Sequence, residues 1–563
     1  MKMQTKSSRL ILLMALLAVS SCGGASGSVA DSEFASWMPA DSSVYIEGTI
    51  RPKGELADNV DQISAKLTGK SLDDSLDELL QKSGNSKIDF MADVEPWLGD
   101  SAALAATEDL SGYSGKDASS VKDALSAVPG TGSIAASGHG LKKDAGKVKD
   151  ASEVSLVALT TDRQATLDFI DKAAVQNGKA KEGEYRGTAY TVSGDGEPVL
   201  GVSEDFLLVA TSLGRFKDMI DARNGDSLAE VDAFSELSGR AAEGSLANLF
   251  VNGSSLADST TSGGKSGSGS SGDSAGGGES GADPVYSALG IDPENVGALI
   301  SLVPKEDEIS LVGVSNATEE YANGNPGPLL ETFPADTVFA TGSAGVGDNL
   351  TRIIETVNEQ GIEGVVEPGE LQKTIDDLSG SGVDVSTLIE SLDTAGLFVS
   401  GTSADDLGGA LVITSPDLEP LENSLSLISS LVGQSGDATV RPLSGGATGF
   451  SVKTPELPGR RVYIAIKDDR FVIAIGDAAA RQALGGGGPT LADSKAYQAA
   501  VDSLSGGEID LYADPPAIGK LIRGAADDRD AKKVADAMDE FDYIAGGDGD
   551  GENSFEFNLG LGE

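Results

Sequence analysis

Residues 38–46 read MPADSSVYI, and residues 333–339 read FPADTVF. Each stretch puts a Pro-Ala-Asp segment directly before a short run rich in β-branched and aromatic residues, which is typical of a turn leading into a β-strand. These two similar stretches determine the fold prediction, because a repeat of this kind predicts two copies of one structural module.

Further similar stretches follow both starts in the same order. Residues 203–210 (SEDFLLVA) return as residues 467–474 (KDDRFVIA). The other pairs, in chain order, are 87–89 with 382–384, 157–162 with 411–417, 227–234 with 490–497 and 249–252 with 511–514. We therefore predict a first module at residues 38–317, a linker at 318–332 and a second module at 333–563.

Strand and helix signals alternate within each module. Val44–Gly48 and Phe206–Ala210 read as strands, whereas Leu56, Val60, Ile63 and Leu67 recur at helical spacing. Two further sets indicate helices in the same way: Phe216, Met219 and Ile220, and in the second copy Leu350, Ile353, Ile354 and Val357. Residues 188–192 and 199–202 flank a polar turn and predict a hairpin. Hairpins exclude a purely parallel sheet. We therefore predict the α+β class: two tandem homologous modules, each an antiparallel or mixed sheet with helices packed on one face.

Three helix predictions are more specific. Thr161 with Gln164 has the sequence of a capping box, which predicts that a helix starts there. Ser415-Pro416 predicts a proline at the first helical position in the second copy. Near the end of the chain, Val534, Met538 and Phe541 predict one amphipathic helix face.

The N-terminus has the features of an export signal. Lys2, Lys6 and Arg9 precede ten apolar or small residues, Leu10 to Val19. This stretch is too short to span a bilayer, which takes about 20 residues. It ends in VSSC, which resembles the bacterial lipobox, and Cys22 is the only cysteine in the chain. The alternative is an ordinary signal peptide followed by a chance cysteine.

The lipobox resemblance implies that residues 1–21 are a lipoprotein signal peptide and that Cys22 carries a diacylglyceryl group. Two acyl chains anchor a protein stably, whereas one is marginal. Residues 22–37 then form a flexible tether. We expect an exported protein held on the outer face of the bacterial cell membrane through the acyl chains on Cys22.

Composition excludes several classes of function. The chain has 563 residues, with 89 acidic side chains against 41 Lys and Arg, and a formal charge of −48. So acidic a chain is a poor partner for nucleic acid. One Cys and one His exclude an internal disulfide, a Cys-rich zinc site and a multi-His metal site. We predict no cofactor, no metal and no catalytic residue.

Two segments of the first module interrupt the repeat. Residues 112–150 are rich in Gly, Ser and Lys, and residues 254–282 are a low-complexity run of mostly Gly and Ser. Composition of this kind does not favour a packed core. We therefore interpret both as disordered inserts.

Residues 93–105 read DVEPWLGDSAALA. Together with residues 39–45 (PADSSVY), this run resembles the bacterial family catalogued as domain of unknown function 3352. The resemblance implies an acidic secreted or lipid-anchored protein, and it supplies no functional residues. The second copy departs from the motif, because Leu388–Asp393 (LIESLD) replaces the Pro-Trp-Leu-Gly segment. If that segment carried a site, the second copy has lost it.

Several possible sites have simpler explanations. Gly263–Ser266 resembles the end of a phosphate-binding loop, but Ser259 replaces the required glycine. Residues 548–552 (DGDGE) resemble a calcium loop, but Asn553 stands where the EF-hand needs glycine, which favours a polar hairpin turn. His139 lies within an insert and has no evident partner for general-base catalysis.

Asp93, Glu95 and Asp100 surround Trp97 and could supply a pair of carboxylates for glycoside chemistry. Close carboxylates are expected by chance in so acidic a chain. The favoured interpretation is therefore a solvated acidic loop around a packed or lip-forming tryptophan.

Three functions remain open. The favoured one is a lipid-anchored envelope protein, non-enzymatic, that binds another envelope protein or has a structural role. The alternative is a carrier lipoprotein with a cleft in or between the modules for a small solute or a lipid. A third, less favoured, is an enzyme that uses carboxylates and a metal.

Overall fold

A computed structural model describes residues 33–69, 90–107, 153–174, 179–193, 198–253, 296–317, 324–360, 368–380, 385–403, 406–419, 421–422, 425, 429, 439–443, 446–453, 457, 459–525 and 529–562. Cys22, the predicted signal peptide and the two predicted inserts lie outside these residues. So do His139, Gly263–Ser266 and the first part of the predicted linker, 318–323.

The chain divides into two units according to its internal contacts. Unit 1 comprises Met1–Gly276 and Pro293–Ala317, and unit 2 comprises Gly277–Asp292 and Thr318–Glu563. Both contain helices together with antiparallel strands. The fold is therefore a mixture of α and β structure built on antiparallel strand pairing.

Strands of unit 1 follow the order β4-β5-β6-β7-β3-β2-β1-β8-β9-β10, and every neighbouring pair is antiparallel. In this order Tyr45 of β1 faces Ala105 of β2 on one side and Phe250 of β8 on the other. The bounds are β1 Val44–Thr49, β2 Leu98–Ala106, β3 Val154–Thr160, β4 Lys181–Tyr185, β5 Thr188–Val192, β6 Val199–Ser203, β7 Phe206–Ala210, β8 Ala247–Asn252, β9 Gly297–Lys305 and β10 Glu308–Ser315.

The predicted strands β1 and β7 and the predicted β5–β6 hairpin are confirmed. The α-helices of unit 1 are α1 Glu55–Thr68, α2 Arg163–Ala174, α3 Leu213–Ala222 and α4 Asp232–Ser238. Short 3-10 turns at Ala35–Trp37 and Leu228–Glu230 and a π-helical turn at Phe90–Val94 complete the described elements.

Helices cover both faces of the unit 1 sheet, so the prediction of a single covered face was wrong. Strand β7 is buried along its whole length because alternate side chains point into two cores. Leu208 shares one core with Phe216 of α3, and Val209 shares the other with Phe169 of α2. A continuous apolar run such as FLLVA is typical of a strand covered on both sides.

Strands of unit 2 follow the order β14-β15-β16-β17-β13-β12-β11-β18-β19-β20, again with every neighbouring pair antiparallel. Phe398, Ala410 and Ala474 of three adjacent strands lie in register and are buried in one core. The bounds are β11 Thr337–Ser343, β12 Ala395–Ser400, β13 Gly408–Thr414, β14 Thr439–Pro442, β15 Thr448–Lys453, β16 Val462–Lys467, β17 Arg470–Ile475, β18 Leu511–Ala513, β19 Phe541–Asp548 and β20 Ser554–Leu561.

Helix α5 precedes β11, and the other helices bounded here lie at two places in the sequence of unit 2, between β11 and β12 and after β17. Among the described residues of the whole chain, no helix has the length and apolar character needed to cross a membrane. The bounds are α5 Gly327–Leu330, α6 Val346–Gln360, α7 Glu370–Gly380, α8 Val385–Glu390, α9 Asp477–Ala483, α10 Lys495–Ser503, α11 Pro515–Ala525 and α12 Arg529–Met538, with a 3-10 turn at Leu491–Asp493.

Local hydrogen bonds correct two of the helix predictions. Asp162, not Thr161, caps α2, because its Oδ1 accepts from the backbone N–H of Gln164 at 3.0 Å. The Thr161 hydroxyl instead donates to the carbonyl of Trp97. In unit 2, Pro416 lies in a bend before the first helical residue, Glu419.

The late amphipathic helix is shorter than predicted. α12 ends at Met538, and Phe541 begins strand β19. Ala535 is the buried residue of α12, whereas the side chain of Val534 is 37% exposed. Helical spacing carried the prediction past the end of the helix because Phe541 is also apolar, as the first residue of a half-buried strand is expected to be.

Candidate functional site

A cleft in unit 2 is a candidate site. It has a volume of about 840 Å³, which lies within the range of small-molecule sites. Its walls come from the start of α6, the turn that joins α8 to β12, the end of β13 and the start of β17. These elements converge because β12, β13 and β17 are adjacent in the sheet.

Backbone hydrogen bonds fix the walls of the cleft. The N–H of Val346 donates to the carbonyl of Asp393 at 2.9 Å, and the N–H of Gly347 donates to Leu392 at 3.0 Å. A Cβ at position 347 would lie 2.5 Å from the carbonyl oxygen of Ile389, so only glycine allows this approach. The start of α6 is thereby held against the turn before β12.

Carboxylates dominate the rim. Asp348, Glu390, Asp393 and Asp469 line the cleft, and each is exposed at the residue level. Asp348 lies in the first turn of α6, where the helix dipole favours a negative charge. The rim therefore attracts positively charged groups and hydroxyl donors and repels anions.

Arg470 is the cation of the cleft lining, and hydrogen bonds to residues outside the lining fix its side chain. One guanidinium nitrogen, Nη1, donates to the hydroxyl of Thr332 at 3.2 Å and to the carbonyl of Ala483 at 3.4 Å. The side chain is 20% exposed, and its Nε lies 4.0 Å from the carboxylate of Asp469. These contacts immobilise one positive group beside four negative ones.

The inner surface of the cleft mixes apolar and hydroxyl groups. Leu329 is buried, and Leu392 and Thr394 are partly exposed. Ser415 is buried and donates to the carbonyl of Asp417 at 2.8 Å. A small polar ligand with a short apolar portion fits this lining, whereas an acyl chain would have to pass four carboxylates.

Two of the acidic residues near Trp97 form ion pairs around a buried tryptophan. Trp97 is 1% exposed, its ring centroid lies 5.1 Å from that of Phe169, and its indole N–H donates to the carbonyl of Asp93. The Asp93 carboxylate pairs with Lys172, and that of Asp100 pairs with Lys53 at 2.6 Å. Of the two interpretations of Trp97, the packed core residue is confirmed.

The segment 548–552 joins β19 to β20, so the predicted polar hairpin turn is confirmed. Asn553 adopts a left-handed backbone conformation at φ 51°, which suits asparagine in a turn. Among the described residues, no group of His, Cys, Asp and Glu side chains has the arrangement needed to hold a metal ion.

A buried arginine in unit 1 was not anticipated from the sequence. Arg215 of α3 is fully buried, and its guanidinium donates to Ser155 at 2.8 Å, to Asp41 at 2.8 Å and to Ser42 at 3.0 Å. These bonds tie the Pro-Ala-Asp segment to β3 and α3. Burial raises the pKa of nearby Asp218; Arg215 lowers it again in part. The role is structural, since a charged side chain this enclosed needs partners of this kind.

Comparison with known proteins places the chain in a family. The family model described as "Protein of unknown function (DUF3352)" matches residues 11–514, and the chain belongs to that family. The resemblance noted at residues 39–45 and 93–105 is thereby confirmed.

No curated protein matches the chain. A solved structure described as "Structure of crystal form I of TP0453" is similar at 7% sequence identity, over 81% of this chain and 98% of that chain. Its TM-score is 0.18, which is too low to support an argument about fold or function.

Proposed function

We propose that the protein is a lipid-anchored, extracytoplasmic binding protein of the bacterial envelope that performs no catalysis. The observation that carries this proposal is the position of Cys22, the single cysteine, directly after a charged and then apolar N-terminal segment. Exported chains with a cysteine in this position are acylated there and stay at the membrane surface. The acidic body and the lack of a recognisable catalytic motif favour binding over chemistry.

Replacing Cys22 with Ala tests the anchor. The Cys22→Ala chain is expected to leave the membrane fraction and appear in the medium, because one or no acyl chain holds a protein only weakly. Ser21→Ala is the matched control, since alanine keeps the small residue before the cysteine and should leave the protein on the membrane. Membrane retention of the Cys22→Ala chain would contradict lipid anchoring.

We also propose that the two units are tandem homologous modules at residues 38–317 and 333–563. The strands follow the same order in both units: each of β1 to β10 has the place in its unit that the corresponding one of β11 to β20 has in the other. Matching details support the pairing: Pro39 forms a β-bridge with Ser227, and Pro334 forms one with Thr490. The N–H of Leu228 donates to Met38, as the N–H of Leu491 donates to Phe333, each at 2.8 Å.

Proteolysis tests this division. A protease should cut within the two predicted inserts and within 318–323, ahead of α5 and its buried Leu330. The two bodies that remain should each unfold cooperatively, since few contacts between modules are expected. Fragments that lose all structure after a single cut there would contradict two independent modules.

The cleft of unit 2 favours a second candidate function, a carrier for a small solute. Native mass spectrometry of the protein extracted gently from its membranes is the direct test. A stoichiometric adduct that is lost in Arg470→Gln and kept in Arg481→Gln, an exposed arginine outside the cleft lining, would support it. A mass showing only the modification at Cys22 would contradict it and favour a protein partner.

A further inference from the structure

The cleft of unit 2 carries charged groups of both signs on different walls. Its guanidinium, that of Arg470, comes from the start of β17. Asp348 comes from the first turn of α6, whereas Glu390 and Asp393 flank the turn between α8 and β12. With a volume of about 840 Å³, the cleft can hold a small molecule that contacts several of these walls at once.

One edge of the Arg470 guanidinium is available to a ligand. Nη1 is occupied by Thr332 and by the carbonyl of Ala483, which fix the group. Among the described residues, Nη2 makes no hydrogen bond, and Nε has only the Asp469 carboxylate, 4.0 Å away. A guanidinium can bind a carboxylate through two parallel hydrogen bonds from an edge of this kind. Arg470 can therefore bind the carboxylate of a ligand without giving up the contacts that fix it.

Three carboxylates of the lining also have no partner in the part of the chain that the structure describes. No hydrogen bond or ion pair there involves the side chain of Asp348, Glu390 or Asp393. The N–H groups of Val346 and Gly347 already donate to backbone carbonyls, so the start of α6 does not serve as an anion site. Carboxylates of this kind are best satisfied by positively charged hydrogen-bond donors.

An ammonium group suits these carboxylates better than a metal ion or a quaternary amine does. The described carboxylates do not have the arrangement needed to hold a metal ion. Quaternary amines bind against aromatic rings, and none of the described lining residues is aromatic. A primary ammonium group donates three hydrogen bonds and needs no ring.

The charge balance favours a ligand with more amino groups than carboxylates. Four carboxylates and one guanidinium line the cleft. The surroundings keep the same sign, because acidic residues outnumber basic ones within four residues of the lining along the chain. These neighbours are Lys467 and Arg352 on the basic side and Glu331, Asp417, Asp468 and Glu419 on the acidic side.

We propose that the cleft binds a small molecule with one carboxylate and two amino groups, which is the chemistry of a basic amino acid or of a short peptide that contains one. This inference rests on the proposed carrier function and names its class of ligand. The ligand carboxylate pairs with the open edge of Arg470, and the amino groups pair with the carboxylates of the lining. The methylene groups between them lie against Leu329 and Leu392.

Calorimetric titration of the full chain carrying Cys22→Ala tests the proposal with a series of defined probes. L-Lysine and the dipeptide Ala-Lys should bind, and the tighter of the two identifies the source of the ligand as a free amino acid or a peptide. Norleucine, which lacks the side-chain amine, should bind about ten-fold more weakly than L-lysine. L-Glutamate should not bind, because its second carboxylate meets the carboxylates of the lining.

Substitutions in the cleft should affect the probes selectively. Arg470→Gln should weaken L-lysine about ten-fold but should not weaken cadaverine, which is lysine without its carboxylate. Retained cadaverine binding also shows that the cleft of this variant is folded. Glu390→Gln/Asp393→Asn should weaken L-lysine by a similar factor and reduce the salt dependence of its binding.

Two matched controls separate a specific site from general attraction to an acidic protein. Arg481→Gln replaces an exposed arginine outside the lining and should leave L-lysine binding unchanged. Glu182→Gln/Glu184→Gln removes two exposed carboxylates of β4 in unit 1 and should also leave it unchanged. Thermal melts of all variants should coincide with that of the parent.

Three results would overturn the proposal: no binding of L-lysine or Ala-Lys, equal weakening by the cleft and β4 double substitutions, or loss of cadaverine together with L-lysine in Arg470→Gln. The native mass of the extracted protein separates this failure from that of the carrier function. An adduct of another composition would leave the carrier function standing with a different ligand, whereas the absence of both an adduct and lysine binding would contradict the carrier function itself. Anchoring at Cys22 is measured independently by fractionation.

Discussion

A row of apolar side chains across four adjacent strands is covered more fully in unit 1 than in unit 2. In unit 2 the row is Leu397, Leu411, Ile473 and Ile464, on β12, β13, β17 and β16. In unit 1 the row is Leu104, Leu156, Val209 and Leu200, on β2, β3, β7 and β6. Leu156 and Val209 are 2% exposed, whereas Ile473, which takes the place of Val209, is 36% exposed. Strand order and register are alike in the two units, so the difference arises from what lies over the sheet.

The covering layer of unit 1 depends on one aromatic pair. Trp97 and Phe169 of α2 pack with Leu156, Leu200 and Val209 in one core. In unit 2, residues 388–393 replace the tryptophan segment, and the buried leucines after β13, such as Leu421, pack toward β15 and β16 instead. Similar sheets can therefore carry different layers above them, so that a position buried in one unit is partly exposed in the other.

A second difference concerns the buried arginine. Ala479 lies as far beyond Ala474 of β17 as Arg215 lies beyond Ala210 of β7, and Ala410 stands where Ser155 stands. Thr337, at the position of Ser42, is 1% exposed, and its hydroxyl has no hydrogen-bond partner among the described residues. Unit 2 thus has a buried hydroxyl at this place but an alanine where unit 1 has the arginine that bonds to it.

Removing Trp97 should have the largest effect, because it should loosen the layer that covers this sheet face in unit 1. Trp97→Ala is expected to lower the free energy of unfolding of unit 1 by about 3–5 kcal/mol, through lost burial and an unfilled cavity. Hydrogen exchange should rise in β3 and β7 but not in β13 and β17. An unchanged exchange rate in β3 would show that the tryptophan does not hold the covering layer.

Arg215→Ala should make unit 1 resemble unit 2, which has an alanine in place of the buried arginine. The substitution leaves the hydroxyls of Ser155 and Ser42 buried with fewer partners, and it is expected to cost about 3 kcal/mol. Lys181→Ala, at an exposed lysine of β4 in the same unit, is the control and should change stability little. Urea denaturation monitored at Trp97 and Trp37, both in unit 1, measures the effect.

Introducing a threonine hydroxyl at equivalent positions of the two rows should lower stability in unit 1 more than in unit 2. Val209→Thr is nearly isosteric and is expected to cost about 1–3 kcal/mol, because the hydroxyl enters a buried apolar site. Ile473→Thr should change stability by less than about 1 kcal/mol, since water already reaches this position. Equal costs in thermal melts would mean that Ile473 is covered in solution.

Replacing Asp510 should have the smallest effect, and unlike the substitutions above it should stabilise the chain. Burial, then the nearby charges of Asp548 and Glu508, raise the pKa of Asp510 to about 6. The folded chain thus holds this proton more tightly than the unfolded chain does. The resulting stabilisation is complete below about pH 4 and is lost as the pH rises through about 6.

Asn248 precedes β8 residue Leu249 just as Asp510 precedes β18 residue Leu511, and Asn248 is hydrogen-bonded to Ser301 at 2.7 Å. Asp510→Asn should therefore stabilise the chain by about 1 kcal/mol near pH 8, allowing for the side chain's partial exposure, and by little near pH 4. Asp502→Asn, at an exposed position, is the control. A gain that is the same at both pH values would contradict the raised pKa.

Much of the backbone was predictable from local patterns. The short apolar runs of β1 and β7 and the helical spacing in α1, α3 and α6 identify these elements correctly. The similar stretches LFVN and LYAD pointed to strands β8 and β18, which take corresponding places in the two strand orders. Boundaries were less secure, as the Asp162 cap and Phe541 show.

Contacts between distant residues were not predictable. The partners of Arg215 lie on β3 and in the Pro-Ala-Asp segment, far away in sequence, and no local pattern marks them. Burial was also hidden, since FLLVA and RFVIAI are similarly apolar although only the first is fully covered. The cleft in unit 2 depends on how α6, α8 and β13 meet, which a sequence pattern does not specify.

The position of β1 within its sheet constrains the order in which the protein can fold. Val44 pairs with Ala106 on one side and with Val251 on the other, roughly 200 residues later in the chain. Until β8 has been synthesised, β1 is an edge strand with one row of backbone groups unpaired, and such edges invite aggregation. A chain truncated before Ala247 should therefore be prone to aggregate, and chaperones that bind extended chains would be most needed during that interval.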